Sequence, residues 1–338
     1  MIKTISALMA LCALVPLWAS DNVLAGREGP FTRMGIGSRA QAMGNAQVAL
    51  CEPTTVAAYW NPAMAVMIPG KQTLSTSYRF MSLGRRQGHV SFQTLVPPRM
   101  ALGFALLYHG DRDIPIYNDD GTKVYTGGFL SVAMHICLAY KVNRRFSLGI
   151  NTTIYSSSLT AGDNELDQTS TYALPNLDLS AYYALRKDLS LGLNIKHLAS
   201  AMKWEAPLLG SDYKASIENT LPVNIKAGIA YRRSLYGRAC AAAYDAGIFL
   251  VPDDSRNASW TSKLRNGSRV VEHHAGIECF VTPEFPVRLG FATNEGFSMG
   301  AGFHFRNGEF SNSKIDYVFS LEPNGSGINN GLSWTMTW

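Results

Sequence analysis

The chain ends on Leu332-Ser333-Trp334-Thr335-Met336-Thr337-Trp338, in which every second side chain is apolar and the alternate ones carry small hydroxyl groups. Successive side chains of a β-strand point to opposite faces, so this segment has one face suited to an oily environment and one suited to a polar environment. Outer-membrane β-barrels end on such a strand, with an aromatic residue last. We therefore predict an all-β, transmembrane barrel of antiparallel strands in a bacterial outer membrane, with Trp338 as the barrel-terminal signal.

The N-terminus has the organisation of a secretory signal peptide. Lys3 gives a basic start, residues 5–18 are almost entirely apolar, and small residues follow up to Ala25. The apolar run is short for a membrane-spanning helix, and polar residues end it. We expect residues 1–25 to be a signal peptide, with cleavage after Ala25 or near Ala19–Ser20.

The composition favours a barrel over other classes of protein. Only 16% of the residues are charged, 30 are glycine, and the mean hydropathy is −0.01. Soluble proteins carry charge on about a quarter of their residues, and helical membrane proteins are far more hydrophobic. The net charge of +5 is small for this length and gives no reason to expect nucleic acid.

The sequence shows no catalytic or metal-binding motif. Of the 5 cysteines, Cys12 lies in the signal peptide, and Cys51, Cys137, Cys240 and Cys279 have neither a CxxC pattern nor zinc-ligand spacing. Three of them fall in predicted strands, as buried small residues or, in an oxidising compartment, as disulfide partners. No nucleophile–base–acid set or phosphate-binding loop occurs, so we expect neither an enzyme nor a cofactor or metal.

From residue 73 onward the chain contains about fourteen segments that alternate with period two, a number within the range of such barrels. Residues 100–108, for example, place Leu102, Phe104 and Leu106 on one face and small residues on the other. The faces that we assign to the lumen contain Arg79, Asp178, Lys196, Lys226, Asp245, Glu272, His274, Glu278, Arg288 and Asp316. Such charges need partners or water, so the lumen is either hydrated or packed with ion pairs.

Connection lengths separate a barrel from a soluble β-sandwich. With a periplasmic N-terminus, the even-numbered connections face the periplasm, and all of them are short. These are Val96–Arg99, Val142–Arg145, Arg186–Asp188, Arg232–Gly237, Thr282–Pro286 and Arg306–Ser313. The long connections all fall at odd positions, at Gly110–Gly127, Thr160–Ser170, Ala199–Leu221 and Pro252–Ser268. Short periplasmic turns and long outer loops are the asymmetry of outer-membrane barrels.

Residues 37–65, between the signal peptide and the barrel, read GSRAQAMGNAQVALCEPTTVAAYWNPAMA. The run is rich in small residues, which permit close backbone approach, and Asn61-Pro62 is a turn signal. It is unsuited to a lipid-facing strand and too long for a simple tether. We therefore divide the chain into the signal peptide, a plug-like or periplasmic segment at 26–72, and a barrel at 73–338.

This run resembles the outer-membrane barrels of the PorV/PorQ group, which are relatives of the FadL-type transporters. The group has a Gly-x-Arg-Ala start, a Met-Gly-x-Ala core and a Tyr-Trp-Asn-Pro-Ala element. The matching residues here are Gly37, Arg39, Ala40, Met43, Gly44, Ala46, Tyr59, Trp60, Asn61, Pro62 and Ala63. The chain differs at Asn45 and Met64, where the group usually has glycine.

The resemblance implies a barrel with an inner segment and two candidate functions. PorV-like members serve type IX secretion and bind protein partners, whereas FadL-like members pass hydrophobic molecules through a lateral opening. The compact chain and the charged lumen favour a secretion component, with FadL-like transport of a hydrophobic ligand as the alternative. Trp204 and Tyr213, in predicted outer loops, are either partner-binding anchors or interfacial and loop-packing residues. Outer-membrane lipid surrounds the barrel in either case.

Overall fold

A computed structural model gives the structure of the protein. It describes residue 24 and residues 27–338, except for 162–167, 199, 208–213, 254–261, 263–265, 294, 308–310 and 323–326. Apart from Leu24, the expected signal peptide lies outside the described residues.

The described chain is almost entirely β-strand after residue 71. Its strand segments are β1 Gln72–Phe80, β2 Arg86–Val96, β3 Met100–Tyr117, β4 Lys123–Lys141, β5 Phe146–Ala161, β6 Gln168–Ala184, β7 Leu189–Leu198, β8 Ala201–Pro207, β9 Lys214–Thr220, β10 Val223–Leu235, β11 Arg238–Val251, β12 Ser268–Thr282, β13 Phe285–Ala292, β14 Gly296–Asn307, β15 Ser311–Leu321 and β16 Ile328–Thr337. The helices are short, α1 Ser38–Ala42 and α2 Ala57–Trp60, with 3-10 turns at Pro30–Thr32, Pro62–Val66 and Ser82–Gly84. None of the helices in this part of the chain is long and apolar enough to cross a membrane.

The strands close into one antiparallel barrel. Outside β7–β10, each strand pairs with its neighbours in sequence, and β1 pairs with β16 through register partners such as Thr73 and Thr337. β8 continues β7 and pairs with the same strand, β6, while β9 continues into β10. Counted in this way, the 16 described segments make a barrel of 14 strands, which confirms the predicted fold.

The period-two pattern divides the wall into an apolar outer face and a packed inner face. On β3, Leu102, Phe104 and Leu106 are exposed on the outside, whereas Ala101 and Ala105 are fully buried inside. The charged residues that the sequence assigns to the lumen lie on the inner face. A closed barrel with an apolar exterior satisfies its backbone internally, as lipid requires.

The two rims differ as predicted, but the outer loops contain more strand than expected. The turns 97–99, 142–145, 185–188 and 236–237 are short. The segment Gly110–Gly127, predicted as a loop, instead continues the β3–β4 ladder to Tyr117 and Lys123. Ala199–Leu221 likewise contains β8 and β9. Backbone hydrogen bonds extend a hairpin beyond the membrane, where no lipid enforces an alternating pattern.

Of the four described cysteines, two form a disulfide and two are free. Cys240 and Cys279 are directly opposed on β11 and β12 and form a disulfide, so for this pair the interpretation as buried small residues is wrong. Both residues have outward parity, so the bridge lies on the lipid-facing side of the wall. Cys137 is free and buried, and Cys51 is free and partly exposed.

The assignment of faces predicts a depth-dependent cost for charge on the outer wall. Leu193 lies midway along β7 on the lipid face, and Val124 is exposed at the outer end of β4. Leu193→Arg should destabilise the folded barrel by about 2–4 kcal/mol, whereas Val124→Arg should cost at most about 1 kcal/mol. Urea unfolding from lipid vesicles measures both; equal costs would contradict the assigned depths.

Candidate functional site: a plug beside an interruption in the wall

The segment before β1 lies inside the barrel as a plug. Residues 35–50 and 54–66 are buried throughout, although they contain little regular structure. Small residues dominate this segment, so its backbone packs directly against the inner wall. These two buried stretches of the segment predicted at 26–72 thus lie in the lumen, and the bounds of the segment stay a prediction.

Pairs of opposed glycines receive the plug. Gly276 on β12 and Gly290 on β13 are register partners, and a Cβ on either would collide with the backbone of Met43 or Gly44. Gly192 on β7 and Gly228 on β10 are likewise opposed, and they face the backbone of residues 48–49. At these positions the close approach requires the absence of a side chain.

The turn at residues 44–45 explains one departure from the family pattern. Gly44 and Asn45 both adopt the left-handed conformation, with φ of 61° and 63°. Asparagine tolerates this conformation better than most residues, so it replaces the usual second glycine. Its side-chain Nδ2 donates to Glu295 at 2.6 Å, which attaches the plug to the connection before β14.

A buried ion-pair network holds α1 to the wall. The Arg39 guanidinium donates to both carboxylate oxygens of Glu278, at 2.9 and 2.8 Å. Arg288 contacts Glu278 at 2.5 Å and Asp316 at 2.6 Å, and all four side chains are nearly inaccessible to solvent. Burial by itself lowers the pKa of Arg39, but the Glu278 carboxylate outweighs it and raises the pKa above its usual value.

The Tyr-Trp-Asn-Pro-Ala element folds the plug onto itself. The Tyr59 hydroxyl donates to Thr32 O at 2.7 Å and accepts from Gly35 N at 3.1 Å, and Trp60 Nε1 donates to Ile36 O at 3.1 Å. These bonds join α2 to the first turn of the plug.

Asn61 connects this element to the wall. Its Nδ2 donates to Val48 O at 2.7 Å and to Ala181 O at 3.1 Å. Its Oδ1 accepts from Ala63 N at 3.1 Å, which caps the 3-10 turn that begins at Pro62. The small residues of the family motif are buried and pack within the plug. Gly37 has a positive φ of 84°, which favours glycine. The structure therefore brings all the motif residues together inside the barrel, where they hold the plug in place.

A small polar chamber lies between the plug and the wall. It is lined by Thr32, Arg33, Asn45, Val48, Tyr59, Trp60, Asn194, Lys196, His197, Asn224, Lys226, Phe249, Glu272 and His274. Its volume of about 30 Å³ holds about two water molecules. The motif residues Tyr59 and Trp60 therefore reach the chamber as well as bracing the plug.

The chamber walls are charged. Lys226 pairs with Glu272 at 2.8 Å, and the Lys196 ammonium lies 3.9 Å from the centroid of the Tyr59 ring. His274 Nδ1 donates to Gly44 O at 2.8 Å. Arg33 donates to Glu28 O at 2.8 Å, and burial lowers its pKa to about 10. This lining suits water and ions, and it closes the straight path along the barrel axis to large molecules.

Beside the chamber, the wall is interrupted. Ser200, just before β8, lies outside the ladder, as do residues 221–222 between β9 and β10, and β6 has a register shift between Leu177 and Leu179. A backbone hydrogen bond in which Leu221 N donates to Ser200 O, at 2.9 Å, still joins the two strands at this point. Pro222 has no N–H to donate, so this residue in the middle of a strand was a signal for the break between β9 and β10.

Apolar side chains lie at the interruption beside a buried polar set, in which Asp178 accepts from His197 N at 2.9 Å. Phe31 of the plug packs edge-on against Tyr155 with ring centroids 6.0 Å apart, and Met202 and Leu221 are each 1% exposed. His197 stacks on the other side of Tyr155, at 5.9 Å, and has a left-handed φ of 63°. The first turn of the plug therefore packs against the wall at the interruption.

The remaining candidate residues lie elsewhere. Trp204 lies in β8 rather than in a loop, and its indole N–H donates to Glu28 of the plug segment at 2.8 Å. Tyr213 lies outside the described residues. Trp338 follows β16 at the periplasmic rim, where its carbonyl accepts from Lys71 N and Gln72 N, both at 3.0 Å. Among the described residues, no group of three His, Cys, Asp or Glu side chains is placed to hold a metal ion.

Comparisons with known proteins place the fold. No family model and no curated protein matches the sequence. The fold resembles the Pseudomonas putida toluene transporter TodX, with TM-score 0.58, 10% identity, and coverage of 89% of this chain and 97% of that one. It also resembles the CymD monoaromatic hydrocarbon channel, with TM-score 0.59, 13% identity, and coverage of 90% and 98%.

A Pseudomonas aeruginosa FadL homologue gives TM-score 0.56 at 12% identity, covering 89% of this chain and 97% of that one. The chain therefore shares the FadL-like fold, a barrel of 14 strands with an N-terminal inner segment. The FadL-like part of the resemblance is confirmed for the fold, and membership of the PorV/PorQ group stays a prediction.

The buried network predicts a large cost for removing one charge. Glu278→Gln leaves Arg39 buried without the carboxylate that it pairs with and leaves Arg288 with Asp316 alone, which should destabilise the protein by about 3–5 kcal/mol. Glu52→Gln is the matched control, because Glu52 also joins the plug to the wall, through Arg232, but the pair is about a quarter exposed. That control should cost at most about 1 kcal/mol. Urea unfolding in vesicles, followed by tryptophan fluorescence, compares them; similar losses would refute the buried-network argument.

Proposed function

We propose that this barrel passes small hydrophobic molecules across the outer membrane and releases them sideways through the wall. The observation that carries the proposal is the interruption of the wall between β6 and β10, against which Phe31 of the first turn of the plug packs. The fold supports it, since the matched structures include a toluene transporter and a monoaromatic hydrocarbon channel.

The chemistry of the interior favours a sideways route over an axial one. An apolar molecule in the chamber would separate Lys196, Lys226 and Glu272 from water, and burying charges without compensation is costly. Glycine contacts, hydrogen bonds and ion pairs fix residues 38–66 on several sides. At the interruption, in contrast, Phe31 and Leu221 offer an apolar surface, and the membrane interior lies beyond the wall.

Movement of the first turn is sufficient to open this route. The turn at residues 29–32 is joined to the rest of the plug by the Tyr59 hydroxyl and to the outer hairpin by Glu28, which accepts from Trp204 and Asn219. Gly29 has a left-handed φ of 65°, and a Cβ there would collide with the Leu221 side chain. Few bonds therefore have to break, while the ion-paired body of the plug stays in place.

Uptake of labelled toluene by cells tests the proposal. A deletion strain should take up toluene more slowly than a complemented strain. Phe31→Ala should raise the initial rate, because it shortens the side chain that fills the gap. Phe80→Ala, at an exposed end of β1, is the matched control and should leave the rate unchanged. Heat-modifiable migration in gels verifies that each variant is folded. A deletion strain with the uptake rate of the complemented strain would refute the transport proposal.

A second candidate is a protein-secretion component of the type IX kind. The closed chamber and the bonded plug favour it, since they suit a barrel that acts by docking rather than conduction, as does the resemblance of residues 37–65. Under this proposal the deletion strain retains its cargo in the periplasm, and the intact protein recovers secretion components in a pull-down from solubilised membranes. Normal cargo export together with slow toluene uptake would reject it.

Both candidates require export of the chain. We propose that residues 1–25 direct it and are removed, which leaves the plug segment at the mature N-terminus. N-terminal sequencing of protein purified from outer membranes tests this, and a mature chain that still begins at Met1 would contradict it.

A further inference from the structure

The short turns at the periplasmic rim are strongly basic. The turns after β2, β4 and β6 and the end of β10 contain the exposed residues Arg99, Arg144, Arg145, Arg186, Lys187 and Arg233. Within residues 97–99, 142–145, 185–188 and 232–238, the acidic side chain is Asp188, which lies 3.3 Å from Arg186, and Glu52 of the plug pairs with Arg232. The rim along this side of the barrel thus carries a clear excess of positive charge.

Backbone hydrogen bonds make these turns one continuous arc. Lys141 N donates to Arg99 O, and Ala184 N donates to Arg145 O, each at 2.8 Å. Arg232 N donates to Asp188 O, also at 2.8 Å. Each turn therefore lies against the next strand pair, and the basic side chains form a belt rather than scattered charges.

The belt lies at the height of the membrane surface. Tyr140 and Tyr183, 47% and 37% exposed on the outer wall, stand where aromatic residues mark the edge of the hydrocarbon layer. Arg144 is four residues from Tyr140, within about 13 Å along the chain. Long basic side chains at this position extend to the headgroup layer.

The opposite rim is different. Its described residues carry both signs, with Asp119 and Asp120 close to Lys123 in the β3–β4 turn and with the Arg85–Glu322 ion pair. The excess of basic side chains is thus confined to the rim with short turns, which outer-membrane barrels direct toward the periplasm.

We propose that this belt, which comprises residues 97–99, 142–145, 185–188 and 232–238, binds the headgroups of anionic phospholipids in the periplasmic leaflet of the outer membrane. The charges match phosphate, and basic residues at a membrane surface attract anionic lipids. A phospholipid fits better than an acidic periplasmic protein because the turns are too short to project from the surface. The belt would fix the depth and orientation of the barrel, independently of what passes through it.

The association of spin-labelled phosphatidylglycerol, compared with spin-labelled phosphatidylcholine, tests this in vesicles containing the full mature protein. The wild type should favour phosphatidylglycerol by about fivefold. The triple variant Arg144→Gln, Arg145→Gln, Lys187→Gln should lose this preference. The matched control changes the same residue types at the other rim, Arg86→Gln, Lys123→Gln and Arg269→Gln, and should keep it.

Two further measurements keep the test decisive. In the wild type alone, 1 M sodium chloride should abolish the preference by screening, which does not depend on any variant folding. The charge-conserving variant Arg144→Lys, Arg145→Lys should retain it. Retention of the preference by the triple variant would overturn the proposal and leave an acidic protein as the occupant. Stronger competition by inorganic phosphate than by chloride, at equal ionic strength, would also overturn it, in favour of a site for free phosphate.

Discussion

In the bilayer interior, every backbone N–H and C=O group must find its partner within the protein, and the other features of this structure follow from that requirement. A closed ladder satisfies it, so the strands run as a meander in which β1 and β16 meet. Closure produces two surfaces with different solvents. The outer one selects apolar side chains at every second position, and the inner one is left for polar residues and for the plug.

The plug is constrained by the same requirement. An irregular segment inside a membrane protein must bond its own backbone groups, and here the inner wall supplies the partners. Asp245 accepts from Gln47 N and Val48 N, Ser190 donates to Ala49 O, and Asn194 donates to Trp60 O. Glycines on the wall bring the two backbones close enough for these bonds. Glycines such as Gly192 and Gly276 are thus a consequence of filling this part of the barrel with a chain rather than with side chains.

The sequence predicts the features that depend on local periodicity and predicts less well those that depend on distant contacts. Alternation gives the barrel, the face of residues such as Leu193 and Glu272, and the positions of the short turns. The motif gives the plug, but it does not show that Arg39 pairs with Glu278, which lies 239 residues away. Nor does it show that Cys240 meets Cys279, because that depends on the register of β11 against β12. The outer hairpins are longer than predicted. Their ends lie outside the lipid, where side chains need not alternate, so the sequence pattern does not mark them as strands.

The interruption near Pro222 is where these requirements conflict. The ladder there loses bonds that a membrane wall ordinarily keeps, and the apolar turn containing Phe31 covers the gap from inside. A break of this kind is tolerated only while protein shields it from lipid. Its shield is the part of the plug with few wall contacts, whereas the part with buried ion pairs lies on the other side of the lumen. The plug therefore combines a firmly bonded body with a loosely bonded first turn, and under the proposed transport function that difference in bonding sets which side of the barrel would open.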